Sequence, residues 1–185
     1  NMQLYTYTLG NTIIQNAGNA RIDGLELNTI YADGPWRLSL AAAYTDARTL
    51  QANPAIGIAD GAPLPYSAKA TATLAANYQF QLAGTAAHAG ANLRLSTRRH
   101  AGFAGDSSDP DFKLPGFGML DLESGSTLHD GVSVDLYLRN ALDRRVAIGT
   151  LNAQAIDFLA SVGGPMLVQL STPRTLGVSV NVPFK

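Results

Sequence analysis

Between residues 66 and 80 this chain changes character at every second position. The even positions carry Tyr66, Ala68, Ala70, Ala72, Leu74, Ala76, Tyr78 and Phe80, and the odd ones carry Ser67, Lys69, Thr71, Thr73, Ala75, Asn77 and Gln79. Successive side chains of a strand point to opposite faces, so a period of two gives one oily face and one hydrated face. Aromatics end the oily face, with small and aliphatic residues between them. That pattern predicts a strand crossing a bilayer within a barrel, aromatic girdles marking the two water interfaces. The alternation returns near 36–48, 132–139 and 172–184, where Leu176, Val178, Val180, Val182 and Phe184 interleave with Gly177, Ser179 and Asn181.

Trp36 and Tyr44 lie on one face of the 36–48 stretch, eight residues apart. Eight residues of strand span roughly 26 Å, and a tilt of about 40° leaves roughly 20 Å of height, close to the apolar band of an outer-membrane barrel. Trp36, Tyr44, Tyr66 and Tyr78 are therefore the expected membrane-interface aromatics. From 70 to 93 no Asp, Glu, Lys or Arg occurs, yet polar residues fall at nearly every second position. A spanning helix needs about 20 predominantly apolar residues, so this run is not one.

Composition adds limits. Charged residues make up 15% of the chain, against roughly 25% in a typical soluble domain. The 13 basic residues are scattered and matched by 14 acidic ones, which excludes the basic footprint of a nucleic-acid binder. There is no cysteine, so disulfides and thiolate metal sites are excluded. The chain starts at Asn1 in the middle of strand-like sequence, which reads as the end of a longer precursor.

The pattern predicts an all-β, antiparallel fold of about eight strands, near 2–9, 13–31, 36–48, 66–80, 82–99, 116–128, 132–144 and 172–184, the second interrupted by Gly18 and Gly24. Beyond the first connection, short turns alternate with long loops, the latter near 50–65, 100–115 and 146–171, with a short helix expected around 155–161. The long loops share one rim. Outer-membrane barrels put short turns at the periplasm and long loops outside, so the last strand is expected to run downward from the outside.

Few residues invite chemistry. Asp121 and Glu123 stand two apart on one strand face, and catalysis would need one of them kept neutral or a bound metal. The plainer reading is an inward charge ladder in a wet lumen, formed by Arg94, Asp121, Glu123, Asp135 and Arg139, with Asp121 opposite Arg139 and Glu123 opposite Tyr137. Such pairs are worth about 0–1 kcal/mol but help to fix register. Arg98, Arg99 and His100 sit where a strand enters a long loop. They are placed to grip an anionic ligand or outer-leaflet sugars, or else form a solvated rim of charge. The oxygen-rich 106–111 segment lacks the Gly and Glu of an EF-hand loop. His88, His100 and His129 fall on different elements, which argues against a shared metal site. No catalytic residues, metal or cofactor are expected.

Three segments resemble those of TonB-dependent outer-membrane receptors. Residues 16–27, reading NAGNARIDGLEL, are similar to the family's strand carrying NAG and a later G-[VL]-E; 138–145, LRNALDRR, resembles its "xxNLxDxxY" segment; 172–184 resembles its closing "PRxxGxxxxxxF" strand, with Phe184 as the assembly signal. Ala141 replaces the commoner Leu, and Lys185 follows the terminal aromatic. The resemblance implies that residues 1–185 are the C-terminal third of a barrel of about 22 strands in the Gram-negative outer membrane. Plug and TonB box would lie upstream. It further implies energised uptake of a scarce nutrient such as a ferric siderophore, with outer-membrane lipid, the TonB complex and the barrel assembly machinery as partners, and no enzymatic activity. A self-contained eight-stranded barrel acting as anchor or adhesin is the alternative. It requires the first strand to pair with the last, whereas a piece of a larger barrel predicts an open sheet.

Overall fold

The computed structural model describes residues 2–8, 11–51, 53–54, 58–103, 113–128, 131–150 and 168–183; among them are thirteen strands and no α-helix. The strands are β1 (Met2–Thr8), β2 (Asn11–Gly18), β3 (Ala20–Asp33), β4 (Trp36–Thr49), β5 (Ala70–Leu82), β6 (Thr85–Ser96), β7 (Arg99–His100), β8 (Lys113–Leu114), β9 (Phe117–Thr127), β10 (Ser133–Arg139), β11 (Ala147–Thr150), β12 (Val168–Leu170) and β13 (Thr175–Asn181). Seven of them form one antiparallel sheet in the order β13-β10-β9-β6-β5-β4-β3. Each neighbour in that sheet follows its partner along the chain, apart from the short strands inserted in the long connections.

Register keeps the two faces apart. Leu40 pairs with Leu74, Leu74 with Leu93 and Leu93 with Leu120, giving one continuous leucine row. Val134 pairs with Val180, Leu136 with Val178 and Leu138 with Leu176. On the other face Asn92 pairs with Asp121 and Tyr137 with Glu123. A slip of one residue would move every leucine to the hydrated side, so the alternation pins the pairing.

The apolar face is not covered by protein. Leu74 is 41% exposed, Val180 59% and Leu176 73%. Contiguous apolar patches on soluble monomers rarely exceed a few hundred Å². This face runs across the whole sheet, as a wall facing hydrocarbon would. The buried hydrophobic cluster is small, Ile58, Ala62 and Phe103 with Met2 and Leu64 against it, and belongs to the long connections rather than to the sheet.

Tight turns gather at one rim. Asp33 pairs with Trp36 around Gly34-Pro35, and Leu82 with Thr85 around Ala83-Gly84. Ala83 (φ 51°) and Gly84 (φ 82°) are both left-handed, the type I′ geometry whose twist suits a two-residue hairpin. Between β9 and β10, the Leu128 N–H donates to Val132 O at 2.7 Å. The described parts of the three long connections meet at the opposite rim, where Tyr66 contacts His100 and Thr150 and Arg99 contacts Ile148.

Several boundaries differ from the sequence reading. The 66–80 strand begins only at Ala70. Tyr66 follows Pro65, adopts φ 59° and donates its N–H to His100 O at 2.7 Å, which turns it into the loop cluster. Its spacing from Tyr78 is thus not a distance along one strand. The 13–31 strand breaks at Gly18 (φ 98°) but passes through Gly24. A Cβ on Gly24 would lie 2.9 Å from Tyr44 O, so glycine there permits close approach rather than ending the strand. β1 pairs with β2 alone, outside the seven-stranded sheet. The seventh predicted strand stops at Arg139, where Asn140 turns to φ 48°. The expected 155–161 helix, the 106–111 loop, His129 and Phe184 lie outside the described residues.

The main sheet does not close. Among the described residues, no strand pairs with the outer side of β3 or of β13.

Candidate functional site

The hydrated face is built by alternation along β5, β6, β9, β10 and β13, and glycines make room for its longest side chains. A Cβ on Gly177 would collide with Cζ and Oη of Tyr137, whose ring reaches over it. A Cβ on Gly90 would meet Glu123 Cγ and Oε1, each at 2.9 Å. One on Gly125 would collide with Asp135 Oδ1 and come within 2.8 Å of His88 Cε1. Long polar side chains therefore lie across neighbouring strands, above glycine, instead of projecting straight outward.

The predicted ladder residues share this face, and most of them meet. Arg94 Nη2 is 2.9 Å from Asp121 Oδ2, and Arg139 Nη1 is 3.8 Å from the same oxygen. Tyr137 pairs with Glu123 as expected, and the Arg139 guanidinium stands 5.4 Å from the Tyr137 ring centre. His88 Nε2 is 3.5 Å from Asp135 Oδ1, a cross-strand contact made possible by Gly125 between them. Glu123 is exposed and forms no ion pair among the described residues. Asp121, by contrast, is 9% exposed and fully engaged, since its Oδ1 also accepts the Asn140 N–H at 2.8 Å.

This contact opens a structure that the sequence reading did not anticipate. Asn140 is buried at 1% exposure. Its Nδ2 donates to Arg144 O (3.0 Å) and Thr172 O (2.9 Å), and its Oδ1 accepts the Arg144 N–H (3.0 Å). Asp143 Oδ1 accepts the Arg174 N–H at 3.3 Å. Ser171 closes the same junction: its Oγ accepts from Val146 N–H (3.1 Å) and donates to Arg144 O (2.9 Å). The Asn140–Asp143 and Pro173–Arg174 segments, read as two separate motifs, are one hydrogen-bonded latch between the top of β10 and the top of β13. The signal for it was present in the spacing N-x-x-D, because Asn and Asp tolerate the left-handed backbone found at both positions, φ 48° and 50°.

At the long-connection rim the basic trio is divided. Arg99 Nη2 donates to Ile148 O at 2.6 Å and its guanidinium stands 5.9 Å from the Phe117 ring centre, tying β7 to β11. His100 gives its carbonyl to Tyr66, whose hydroxyl is 2.7 Å from Thr150 Oγ1. Arg98 is exposed, and its guanidinium has no partner among the described residues. At the tight-turn rim Trp36 packs on Tyr78 with ring centres 4.5 Å apart, and Tyr78 stacks on Phe80 at 5.8 Å. Tyr44 is opposite Leu25 and Ala70 near the other end of the apolar face. Among the described residues, no three His, Asp or Glu side chains stand close enough to share a metal ion.

Among the described residues, an antiparallel sheet with an uncovered apolar face, a hydrated face and two unpaired edges is the wall of a β-barrel. The sequence profile described as "TonB dependent receptor-like, beta-barrel" matches residues 1–141, and the chain belongs to that family of TonB-dependent receptors. Among solved structures it is similar to the ferric yersiniabactin uptake receptor FyuA from Yersinia pestis, with 19% identity, a TM-score of 0.76, and coverage of 94% of this chain and 25% of that one. It is also similar to BauA, the ferric preacinetobactin receptor from Acinetobacter baumannii (16% identity, TM-score 0.67, coverage 97% and 25%). The siderophore receptor PiuA from Acinetobacter baumannii aligns at 19% identity, with a TM-score of 0.68 and coverage of 91% and 22%. The chain thus spans about a quarter of the length of these structures. No curated protein matches it in sequence.

Proposed function

We propose that this chain is the C-terminal part of the barrel wall of a Gram-negative outer-membrane receptor that takes up a scarce nutrient of the ferric-siderophore class. The observation that carries the reading is the uncovered apolar face of the seven-stranded sheet, backed by a hydrated face of interlocked charged side chains. A lipid-embedded sheet cannot leave backbone N–H and C=O groups unpaired. Among the described residues the outer edges of β3 and β13 are unpaired, which calls for further strands of a larger barrel. They weigh against the self-contained eight-stranded barrel, in which the first strand would pair with the last.

In this reading the long connections face the outside and the tight turns the periplasm. The hydrated face lines the lumen, against a plug supplied by another part of the receptor, through which the TonB complex would act. The last strand, with Phe184, would engage the barrel assembly machinery. Arg98, exposed and without a partner among the described residues, is the member of the basic trio that we assign to a soluble anionic ligand, while Arg99 and the His100 carbonyl hold the rim together. The ferric ligands named for FyuA and BauA support a ferric-siderophore substrate class.

The test is uptake in the native host under iron starvation. Strains with the receptor gene intact, deleted, or lacking the codons for 168–183 are supplied with a panel of radioiron-labelled siderophores, and receptor abundance in the outer-membrane fraction is measured alongside. Deletion should abolish uptake of at least one ferric siderophore, and loss of β13 should remove the receptor from the outer membrane. Unchanged uptake of every iron complex in the deletion strain would overturn the substrate class; a receptor found only in soluble fractions would overturn the barrel reading.

A further inference from the structure

One residue at the long-connection rim keeps a backbone that its type disfavours. Among the described residues, Tyr66, Ala83, Asn140 and Asp143 are the non-glycine positions with positive φ. Asn and Asp tolerate the left-handed region, and Ala83 is small and stands in a tight hairpin turn; a bulky aromatic side chain there is an outlier. The local turn explains the angle. The Ser67 N–H donates to Leu64 O at 3.4 Å, with Pro65 and Tyr66 between them. Proline followed by a residue at φ 59° is the pattern of a type II turn, whose third position calls for Gly or Asn. Tyr66 is therefore strained where glycine would not be, and such strain persists only where the surroundings over-determine it.

The three long connections supply those surroundings. The turn belongs to the first and is fastened to β4 by the Leu64 N–H, which donates to Ala47 O at 3.0 Å. The Tyr66 N–H reaches His100 O of the second connection at 2.7 Å, and the hydroxyl stands 2.7 Å from Thr150 Oγ1 of the third. Glycine could make the first two contacts but not the last. The ring is 48% exposed, so it is not there to fill a core; the hydroxyl contact is what tyrosine adds. The third connection is also joined to the second through Arg99, whose Nη2 donates to Ile148 O at 2.6 Å. Its base is secured separately, by Asn140 to Thr172 O and Ser171 to Arg144 O. Leu114, opposite Arg99 in the β7–β8 pair, is fully buried, and β8 lies beside β11.

We infer that Tyr66 is a releasable clasp fastening the last long connection to the other two. Closed, it makes the three connections one body around the mouth of the barrel. Open, it lets β11 and β12 lift on the base held by Asn140 while the first two connections stay joined. Two properties make it releasable. The hydroxyl pair is exposed, so opening exchanges one hydrogen bond for another with water. Neither β11 nor β12 contains a buried apolar side chain, and segments poor in such contacts open at low cost. The inference goes beyond the proposed transport role and uses that reading only for the side to which the rim faces.

The test is hydrogen–deuterium exchange on the full-length receptor in lipid vesicles. Tyr66→Phe and Thr150→Val should each speed exchange of amides 147–150 and 168–170 about twofold to tenfold, as loss of one net hydrogen bond implies, and leave 70–82 unchanged. The double variant should be no faster than either single one. Tyr66→Gly should speed 147–150 equally, while amides 66 and 67 exchange no faster than in the wild type because the turn is relieved. As a second measurement, intact cells carrying Leu114→Cys are treated with a membrane-impermeant maleimide, and adding Tyr66→Phe should raise the labelling rate by a similar factor. Unchanged exchange at 147–150 in both single variants would overturn the clasp, as would additive effects in the double variant. Acceleration extending through 70–82 would overturn it too, making Tyr66 a general support of the wall. Faster exchange at 66 and 67 in the glycine variant would overturn the claim that tyrosine is kept for its hydroxyl. A thiol at 114 that labels only in broken cells would instead overturn the outward-facing reading of the rim, with the exchange data still deciding the clasp.

Discussion

Leu40 is the position at which the two faces can be told apart most sharply. It lies four residues from Trp36 and four from Tyr44 on β4, in the row with Leu74, Leu93 and Leu120. Four residues of tilted strand amount to roughly 10 Å of height, which puts Leu40 near the middle of the apolar band. An Arg on the lipid face of a barrel costs about 2–4 kcal/mol at the midplane and about 0–1 kcal/mol near the interfaces. Leu40→Arg should therefore lower the folding equilibrium constant by roughly 30-fold to 1,000-fold. Its neighbour Ala41 stands on the hydrated face, exposed beside Glu26 and Asn28 in an open hollow, so Ala41→Arg should change stability by no more than about 0.5 kcal/mol. Urea titration of the full-length receptor in lipid vesicles, followed by heat-modifiable mobility, measures both. Equal costs at the two positions, or a larger cost at Ala41, would refute the assignment of faces.

Other outcomes can be read from the same assays. Asn140→Ala removes three side-chain hydrogen bonds and leaves a left-handed backbone to alanine, which should cost about 2–4 kcal/mol and speed amide exchange locally at 140–146 and 172–175. Gly177→Ala drives a methyl into the Tyr137 ring and should cost about 1–3 kcal/mol, at least about 1 kcal/mol of which disappears in a Tyr137→Ala background. Ala83→Asn creates an Asn-Gly pair in a turn that already has both central φ angles positive, and should stabilise by about 0.5–1 kcal/mol, whereas Ala83→Val should destabilise.

What the chain itself determined is its periodicity and everything that follows from period two. The strands, their two faces, the tight-turn rim at Gly34-Pro35 and Ala83-Gly84, and the Tyr137–Glu123 pairing are all consequences of side chains that alternate and turns short enough to fix register. These are local properties, settled by residues close in sequence. Tertiary structure alone decided where strands stop and what their polar ends grip. Nothing near Tyr66 in sequence reveals that its N–H meets His100 O and its hydroxyl meets Thr150, away from the strand it was read into. The Asn140 latch draws on Asp121 and Thr172, residues 19 and 32 positions away, so its motif could be read while its partners could not. Four charges on β3 and β4 had the same fate: Arg21, Asp23, Asp46 and Arg48 look like ordinary alternating pairs along each strand, and only the β3–β4 register sets Arg21 opposite Arg48 and Asp23 opposite Asp46. Cross-strand neighbours carry the energetics of a sheet, and the register that chooses them depends on the whole hairpin rather than on any single segment.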